Sequence, residues 1–133
     1  MNIKELQEIM ELSPFQCWLG LKLTELNENS IEILMPWREE IVATPGIQTT
    51  HGGILASLID LGGFFAILGT GGAIASTADL HVDYHKAAKP GPLRVKSEVT
   101  KTGKRSSVAH TQIFDENNRL IASGRGLYMG SQS

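Results

Sequence analysis

The sequence predicts one α+β domain, in which an antiparallel sheet of about six strands packs one face on a single long helix. An apolar run over residues 52–75, with Asp60 as its single charge, indicates the helix. Segments of alternating polarity before and after this run indicate the strands. Because the order of elements contains no βαβ alternation, we expect an antiparallel sheet. The whole chain, 1–133, is expected to form this one domain.

A short helix and a hairpin precede the long helix in the chain. Apolar residues between Ile3 and Leu12 recur at helical spacing, and Ser13-Pro14 is expected to end that helix. Two alternating segments, 21–26 and 30–35, flank an Asn-Glu-Asn turn and predict a hairpin. Residues 37–50 are predicted to form a loop that leads into the long helix.

The long helix is predicted to span about 16–18 residues, because the turn Gly69-Thr70-Gly71-Gly72 ends it. A helix that is apolar all round is typical of a protein core or of a membrane span. The central acid Asp60, the absence of nearby basic anchors and the flanking strands favour the core. Gly62-Gly63 inside this helix predicts a close approach of the sheet, with a simple kink as the alternative.

Four strands are predicted after the long helix. They cover Thr77–Tyr84, Leu93–Thr100, Ser107–Phe114 and Leu120–Met129. Alternation places one set of side chains on the inner face of the first two of these strands. This set is Leu80, Val82, Tyr84, Leu93, Val95, Ser97 and Val99.

Composition and charge narrow the classes of function. The formal net charge is -2, and residues of both signs are evenly mixed along the chain, so neither nucleic-acid nor lipid binding is expected. The single cysteine, Cys17, excludes an internal disulfide and is expected as a small core residue. The N-terminal residues lack a signal-peptide pattern, so a cytoplasmic protein is expected. The histidines lack a metal-ligand spacing and no serine lies in a G-x-S-x-G setting, so neither a metal, a cofactor nor a serine triad is expected.

The candidate site combines the start of the long helix with its acid. His51 and Asp60 are nine residues apart, so on one helix they face opposite ways, with about 13 Å of rise between them. Two antiparallel copies of the helix can bring His51 of one chain near Asp60 of the other. Gly52 and Gly53 leave backbone N–H groups open at the positive end of the helix, where they can form an oxyanion hole. The alternative is that His51 is a helix cap and the two glycines a simple joint.

Three segments carry a family resemblance. They are residues 51–60 (HGGILASLID), with the acid nine residues after the histidine, residues 77–88 (TADLHVDYHKAA) and residues 120–126 (LIASGRG). In these segments the chain resembles the PaaI-like branch of the hotdog-fold acyl-CoA thioesterases. The resemblance covers most of the chain from about residue 15 onward, and it implies a sheet wrapped around a central helix.

The resemblance also implies roles for the candidate residues. Asp60 would be the nucleophile or the general base for attack on the thioester carbon. The Gly53 N–H, with that of Gly52, would polarise the thioester carbonyl from the partner chain, and His51 would orient the thioester or the loop. Thr77 would hold the attacking water, with an ordinary strand threonine as the alternative. The resemblance further implies that the chain forms at least a homodimer, with two dimers paired into a homotetramer.

One position departs from the family pattern. Six residues before the histidine the family usually has Asn or Gln, whereas this chain has Pro45, and Gln48 replaces a common glycine. Either Gln48 supplies the amide from a shifted loop or that contact is absent. Phe64 is expected either to line an acyl pocket or to belong to the core.

A basic turn is the last candidate. The resemblance would place Lys101, Lys104, Arg105 and Ser106 near the phosphates of CoA, with a solvated hairpin tip as the alternative. Three functions therefore stay open from the sequence. They are an acyl-CoA thioesterase, which the residues favour, a hydratase or dehydratase of enoyl or hydroxyacyl thioesters, and a non-catalytic acyl-CoA binding module.

Overall fold

The computed structural model describes residues 1–130 of the chain. Its helices and strands follow the predicted order, and a second short helix, the second in the list that follows, is added after the first. They are α1 (Ile3–Met10), α2 (Pro14–Leu19), β1 (Lys22–Leu26), β2 (Ser30–Met35), α3 (Gly52–Gly69), β3 (Ile74–Tyr84), β4 (Leu93–Lys101), β5 (Ser106–Phe114) and β6 (Leu120–Gly130), with a 3-10 turn at Glu39–Ile41.

The six strands form one antiparallel sheet in the order β1-β2-β4-β5-β6-β3. The sheet curves around α3, which contacts every strand from β2 to β6. This arrangement leaves β1 and β3 as the two edge strands. The α+β architecture predicted from the sequence is thereby confirmed.

The helix α3 forms the centre of the core. By length and composition it could also cross a membrane, and in the structure its buried residues pack on the inner face of the sheet. The predicted inward residues of β4, from Leu93 to Val99, are buried as expected. The helix has 18 residues, within the predicted range of about 16–18, and ends at Gly69, where the glycine-rich turn begins.

The glycine pair in α3 marks the closest contacts between helix and sheet. A Cβ atom at Gly62 would lie 3.0 Å from the Thr111 side chain and 3.1 Å from that of Val95. A Cβ atom at Gly63 would lie 2.2 Å from the hydroxyl of Tyr128, which no real contact permits. The structure therefore confirms the predicted close approach at these glycines, within an unbroken helix.

The segment after α1 differs from the prediction. Pro14 does not simply end a helix, since it occupies the first turn of α2, a position where its missing N–H costs nothing. Only Leu19 of this short helix is buried. Cys17 is exposed, and its Sγ donates a hydrogen bond to the carbonyl of Glu11, so its placement in the core was wrong.

Candidate active site

Asp60 is held by a threonine from the edge strand. Thr77 Oγ1 donates a hydrogen bond of 2.6 Å to Asp60 Oδ1. Thr77 reaches the helix because it lies on the inner face of β3, directly before a bulge between Thr77 and Asp79. Within residues 1–130, the other carboxylate oxygen of Asp60 has no hydrogen-bond partner. One oxygen is thus oriented by the protein while the other is available for chemistry.

The backbone of Asp60 has its own contact, from β6. The Tyr128 hydroxyl donates to the carbonyl oxygen of Asp60 at 2.8 Å, and Tyr128 is fully buried. Burial, and secondly the charge of Asp60, raise the pKa of the Tyr128 phenol far above its usual value. Tyr128 is therefore a neutral hydrogen-bond donor over the whole physiological pH range.

The start of α3 presents two backbone N–H groups in different states. His51 is the N-cap, and its Nδ1 accepts a hydrogen bond of 2.9 Å from the Gly53 N–H. The Gly52 N–H has no acceptor within the described part of the chain. His51 therefore caps the helix, which was the alternative prediction for this residue. Because its imidazole occupies the Gly53 N–H, a substrate carbonyl can accept from that N–H only when the imidazole turns away.

Tyr84 connects the far end of β3 to the same helix start. Its hydroxyl donates to the Gly52 carbonyl at 2.9 Å, and a Cβ atom at Gly52 would lie 3.4 Å from its ring. Although Tyr84 points to the inner face as predicted, it is 56% exposed, because β3 runs past the beginning of α3 at this point. The contacts of Tyr84 and Tyr128 were not predicted from the sequence.

The acid and the helix start do not meet within one chain. Asp60 lies nine residues after the N-cap His51, which corresponds to a rise of about 13 Å and about two and a half helical turns, so the two face opposite sides of the helix. The larger surface concavity, of about 930 Å³, lies on the outer face of the sheet and is lined by residues such as His81, His110 and Arg125. Asp60 lines neither this concavity nor the smaller one of about 360 Å³. In a single copy Asp60 is half-buried.

Residues 47–122, more than half of the chain, match the sequence model of the thioesterase superfamily. The chain belongs to the thioesterase superfamily. A protein from this superfamily solved by X-ray crystallography is 43% identical, with a TM-score of 0.89 over 96% of each chain. The curated relative "Putative esterase SSO1253" of Saccharolobus solfataricus is 25% identical over 130 residues, which make up 97% of this chain and 85% of the relative.

The E. coli PaaI protein from the phenylacetic acid degradation operon shares the fold, with 20% identity and a TM-score of 0.83 over 97% of this chain and 96% of that chain. These likenesses confirm the hotdog fold that the resemblance implied. Membership in the thioesterase superfamily supports thioester hydrolysis as the general activity.

Two residues that the sequence suggested for substrate binding, Phe64 and Gln48, lie in or just before α3. Phe64 follows Asp60 by one helical turn, is half-buried, and packs edge-on against Phe65 and Tyr128, with ring centroids 5.4 and 6.4 Å apart. Gln48 lies exposed in the loop before α3, with a left-handed φ of 63°, and the Val42–Thr50 bridge closes this loop. Phe64 is thus partly accessible and Gln48 is exposed in a single copy.

The basic turn joins β4 to β5, as predicted. Lys104 and Arg105 are exposed, whereas Ser106 is half-buried and begins β5. The turn lies beside the start of β3, because the Arg105 carbonyl accepts from the Gly130 N–H and Gly130 pairs with Ile74. The structure thus places the turn at the end of β3 that carries Thr77, away from the start of α3.

No group of three or more His, Cys, Asp or Glu side chains could hold a metal ion within residues 1–130.

Proposed function

We propose that the protein hydrolyses an acyl- or aryl-CoA thioester to the free acid and CoA. The observation that carries this proposal is the Asp60 carboxylate, the only charge in an apolar core helix, with one oxygen fixed by Thr77 and the other free. A lone acid on an otherwise apolar helix, held by a hydroxyl on one oxygen, indicates a use in binding or catalysis. Membership in the thioesterase superfamily supports hydrolysis as that use.

The residues suit attack on a thioester carbonyl. Asp60 takes a proton from water, whose oxygen adds to the carbonyl carbon, or adds directly as the nucleophile, with water then cleaving the anhydride formed. Backbone N–H groups of Gly52 and Gly53 stabilise the negative charge that develops on the carbonyl oxygen. When the C–S bond breaks, the CoA sulfur leaves as a thiolate and is protonated by the acid form of Asp60 or by water.

The donors are proposed to come from a second copy, paired through the edge strand β3. Thr77, next to Asp60, lies near one end of β3, and Tyr84, bonded to Gly52, lies at the other end. Antiparallel pairing of two β3 strands sets Thr77 of one copy opposite Tyr84 of the other. The Gly52 of the second copy then lies beside Asp60, and the site is complete.

The pairing has a definite register. Directly opposite residues in an antiparallel pair face the same side of the sheet, so the inner residues Leu80 and Val82 must oppose each other. Counting the extra residue of the bulge at Ala78, the register that joins Thr77 to Tyr84 places His81 opposite the His81 of the second copy.

We expect His81→Cys, in a Cys17→Ser background, to form a disulfide-linked dimer under mild oxidation. Opposed strand residues have Cα atoms about 4.5–5.5 Å apart, within the range that a disulfide spans. Non-reducing electrophoresis measures the fraction of linked dimer. Thr24→Cys on the other edge strand, β1, is the matched control and should remain unlinked. Equal linking of both variants would contradict the proposed register.

The same pairing supports CoA as the leaving group. The basic turn with Lys104 and Arg105 lies at the Thr77 end of β3, the end to which the pairing brings the helix start of the second copy. Lysine and arginine side chains at this position suit the phosphates of CoA. The thioester is then held between two chains, with its carbonyl at the helix start and its phosphates near the turn.

We expect Thr77→Val to lower kcat by about 5- to 20-fold and to leave KM nearly unchanged. Valine keeps the shape and the strand, but it removes the hydroxyl that orients Asp60 and the water, a loss worth somewhat more than an ordinary hydrogen bond of about 0.5–1.5 kcal/mol. Steady-state kinetics separate the two constants. A rise in KM alone would mean that Thr77 only helps to hold the thioester.

The release of free thiol from a panel of acyl- and aryl-CoA thioesters, followed with Ellman's reagent, tests the proposed function. We expect thiol release from at least one class of thioester. Conversion of enoyl-CoA without thiol release would instead identify a hydratase, and CoA-thioester binding without turnover would identify a binding module.

A further inference from the structure

We infer that Tyr128 is a positioning residue for the Asp60–Thr77 pair, an inference that rests on the proposed function. Its hydroxyl fixes the backbone of Asp60 at 2.8 Å, while Thr77 fixes the carboxylate at 2.6 Å. Tyr128 and Thr77 are also cross-strand partners on β6 and β3. The acid is therefore held at two points by two residues that are themselves adjacent in the sheet.

The structure reserves space for this phenol. A Cβ atom at Gly63 or at Gly126 would lie 2.2 Å from the Tyr128 hydroxyl oxygen, so the helix and the strand both lack a side chain at this point. Phe64 packs edge-on against the ring and closes the slot from the helix side. Two glycines and one aromatic ring thus fix where the hydroxyl lies relative to Asp60.

The hydroxyl is not needed to satisfy the Asp60 carbonyl. Asp60 lies in the interior of α3, where the helix itself provides a donor for each carbonyl. A phenylalanine would fill the slot almost as well. What the hydroxyl adds is a second bond that restricts rotation and translation of this turn of the helix against β6. Small displacements of a catalytic group cost rate, since an error of 1 Å can lower turnover by about 100-fold.

We expect Tyr128→Phe to lower kcat by about tenfold with KM changed less than about twofold. In a Thr77→Val background the same change should lower kcat by less than about twofold, because the pair that Tyr128 positions is already broken. A role in stability alone would give the same factor in both backgrounds. Equal factors, or an unchanged kcat in Tyr128→Phe, would overturn the inference.

Ser97→Ala is the matched control. Ser97 is buried on the other side of the same helix region, where its hydroxyl shares a hydrogen bond of 2.8 Å with Thr111 Oγ1, next to Gly62. The substitution removes one buried hydroxyl, as Tyr128→Phe does. The Ser97 hydroxyl has no hydrogen bond to Asp60. We expect a comparable loss of melting temperature from both variants, with kcat lowered only by Tyr128→Phe.

A crystal structure of Tyr128→Phe separates this inference from the proposed function. We expect the distance between Thr77 Oγ1 and Asp60 Oδ1 to rise from 2.6 Å to beyond hydrogen-bonding range. If the wild-type protein hydrolyses no thioester, the proposed function fails, and this distance still decides the structural role of Tyr128. An unchanged hydrogen bond between Thr77 and Asp60 would overturn that role.

Discussion

Asp60→Asn is expected to lower kcat for thioester hydrolysis by about 10²–10⁴-fold, the range typical for loss of a catalytic base or nucleophile. The amide keeps the shape of the side chain, and its oxygen can still accept the hydrogen bond from Thr77. The fold should therefore persist, so the loss reports on chemistry. Thiol release under saturating substrate measures kcat, and a thermal melt verifies the fold.

Glu98→Gln provides the control for this loss. Glu98 is an exposed acid on the outer face of β4, away from α3, so its conversion to an amide should leave kcat within about twofold of wild type. Near-normal turnover in folded Asp60→Asn would remove Asp60 from the mechanism and with it the proposed reaction.

Gly53→Pro is expected to lower kcat by about 10²–10³-fold, the effect of removing one oxyanion donor. Proline lacks the N–H and is tolerated in the first turn of a helix, where Gly53 lies. The variant also removes the hydrogen bond to His51 Nδ1, so its melting temperature should fall modestly. Steady-state kinetics and a thermal melt separate these two effects.

Gly53→Ala is the matched variant, because alanine retains the N–H. Its Cβ would lie 3.1 Å from His51 Nδ1, a contact that the flexible imidazole can relieve by moving. We expect Gly53→Ala to keep most of the activity that Gly53→Pro loses. If both substitutions lowered kcat equally, the effect would come from crowding of the helix start, and the Gly53 N–H would have no role in the reaction.

The features that follow from local patterns were predictable from the sequence. The apolar run predicted that α3 lies in the core, and the turn Gly69-Thr70-Gly71-Gly72 predicted where this helix ends. The alternation of apolar and polar residues predicted which side chains of β4 face the core, because successive side chains of a strand point to opposite faces. The pair Gly62-Gly63 predicted a close approach, since only small residues permit one.

The features that depend on long-range packing were not predictable. Nothing near Tyr128 in the sequence shows that its hydroxyl reaches a carbonyl 68 residues away. Cys17 lies among apolar residues, yet α2 is placed on the surface, so local hydrophobicity gave the wrong burial. The hydrogen bond between Gly53 and His51 depends on the rotamer of one side chain, which the sequence pattern does not specify.

Mixing the two inactive variants tests most directly whether one site is built from two chains. In a heterodimer of Asp60→Asn and Gly53→Pro, one site carries both defects and the other carries neither. After complete subunit exchange of an equal mixture, half of the dimers are heterodimers, so about a quarter of wild-type activity should return. Exchange is verified with differently tagged copies. If tagged heterodimers form and thiol release stays at the level of the separate variants, each site lies within a single chain, which contradicts a site shared between two chains.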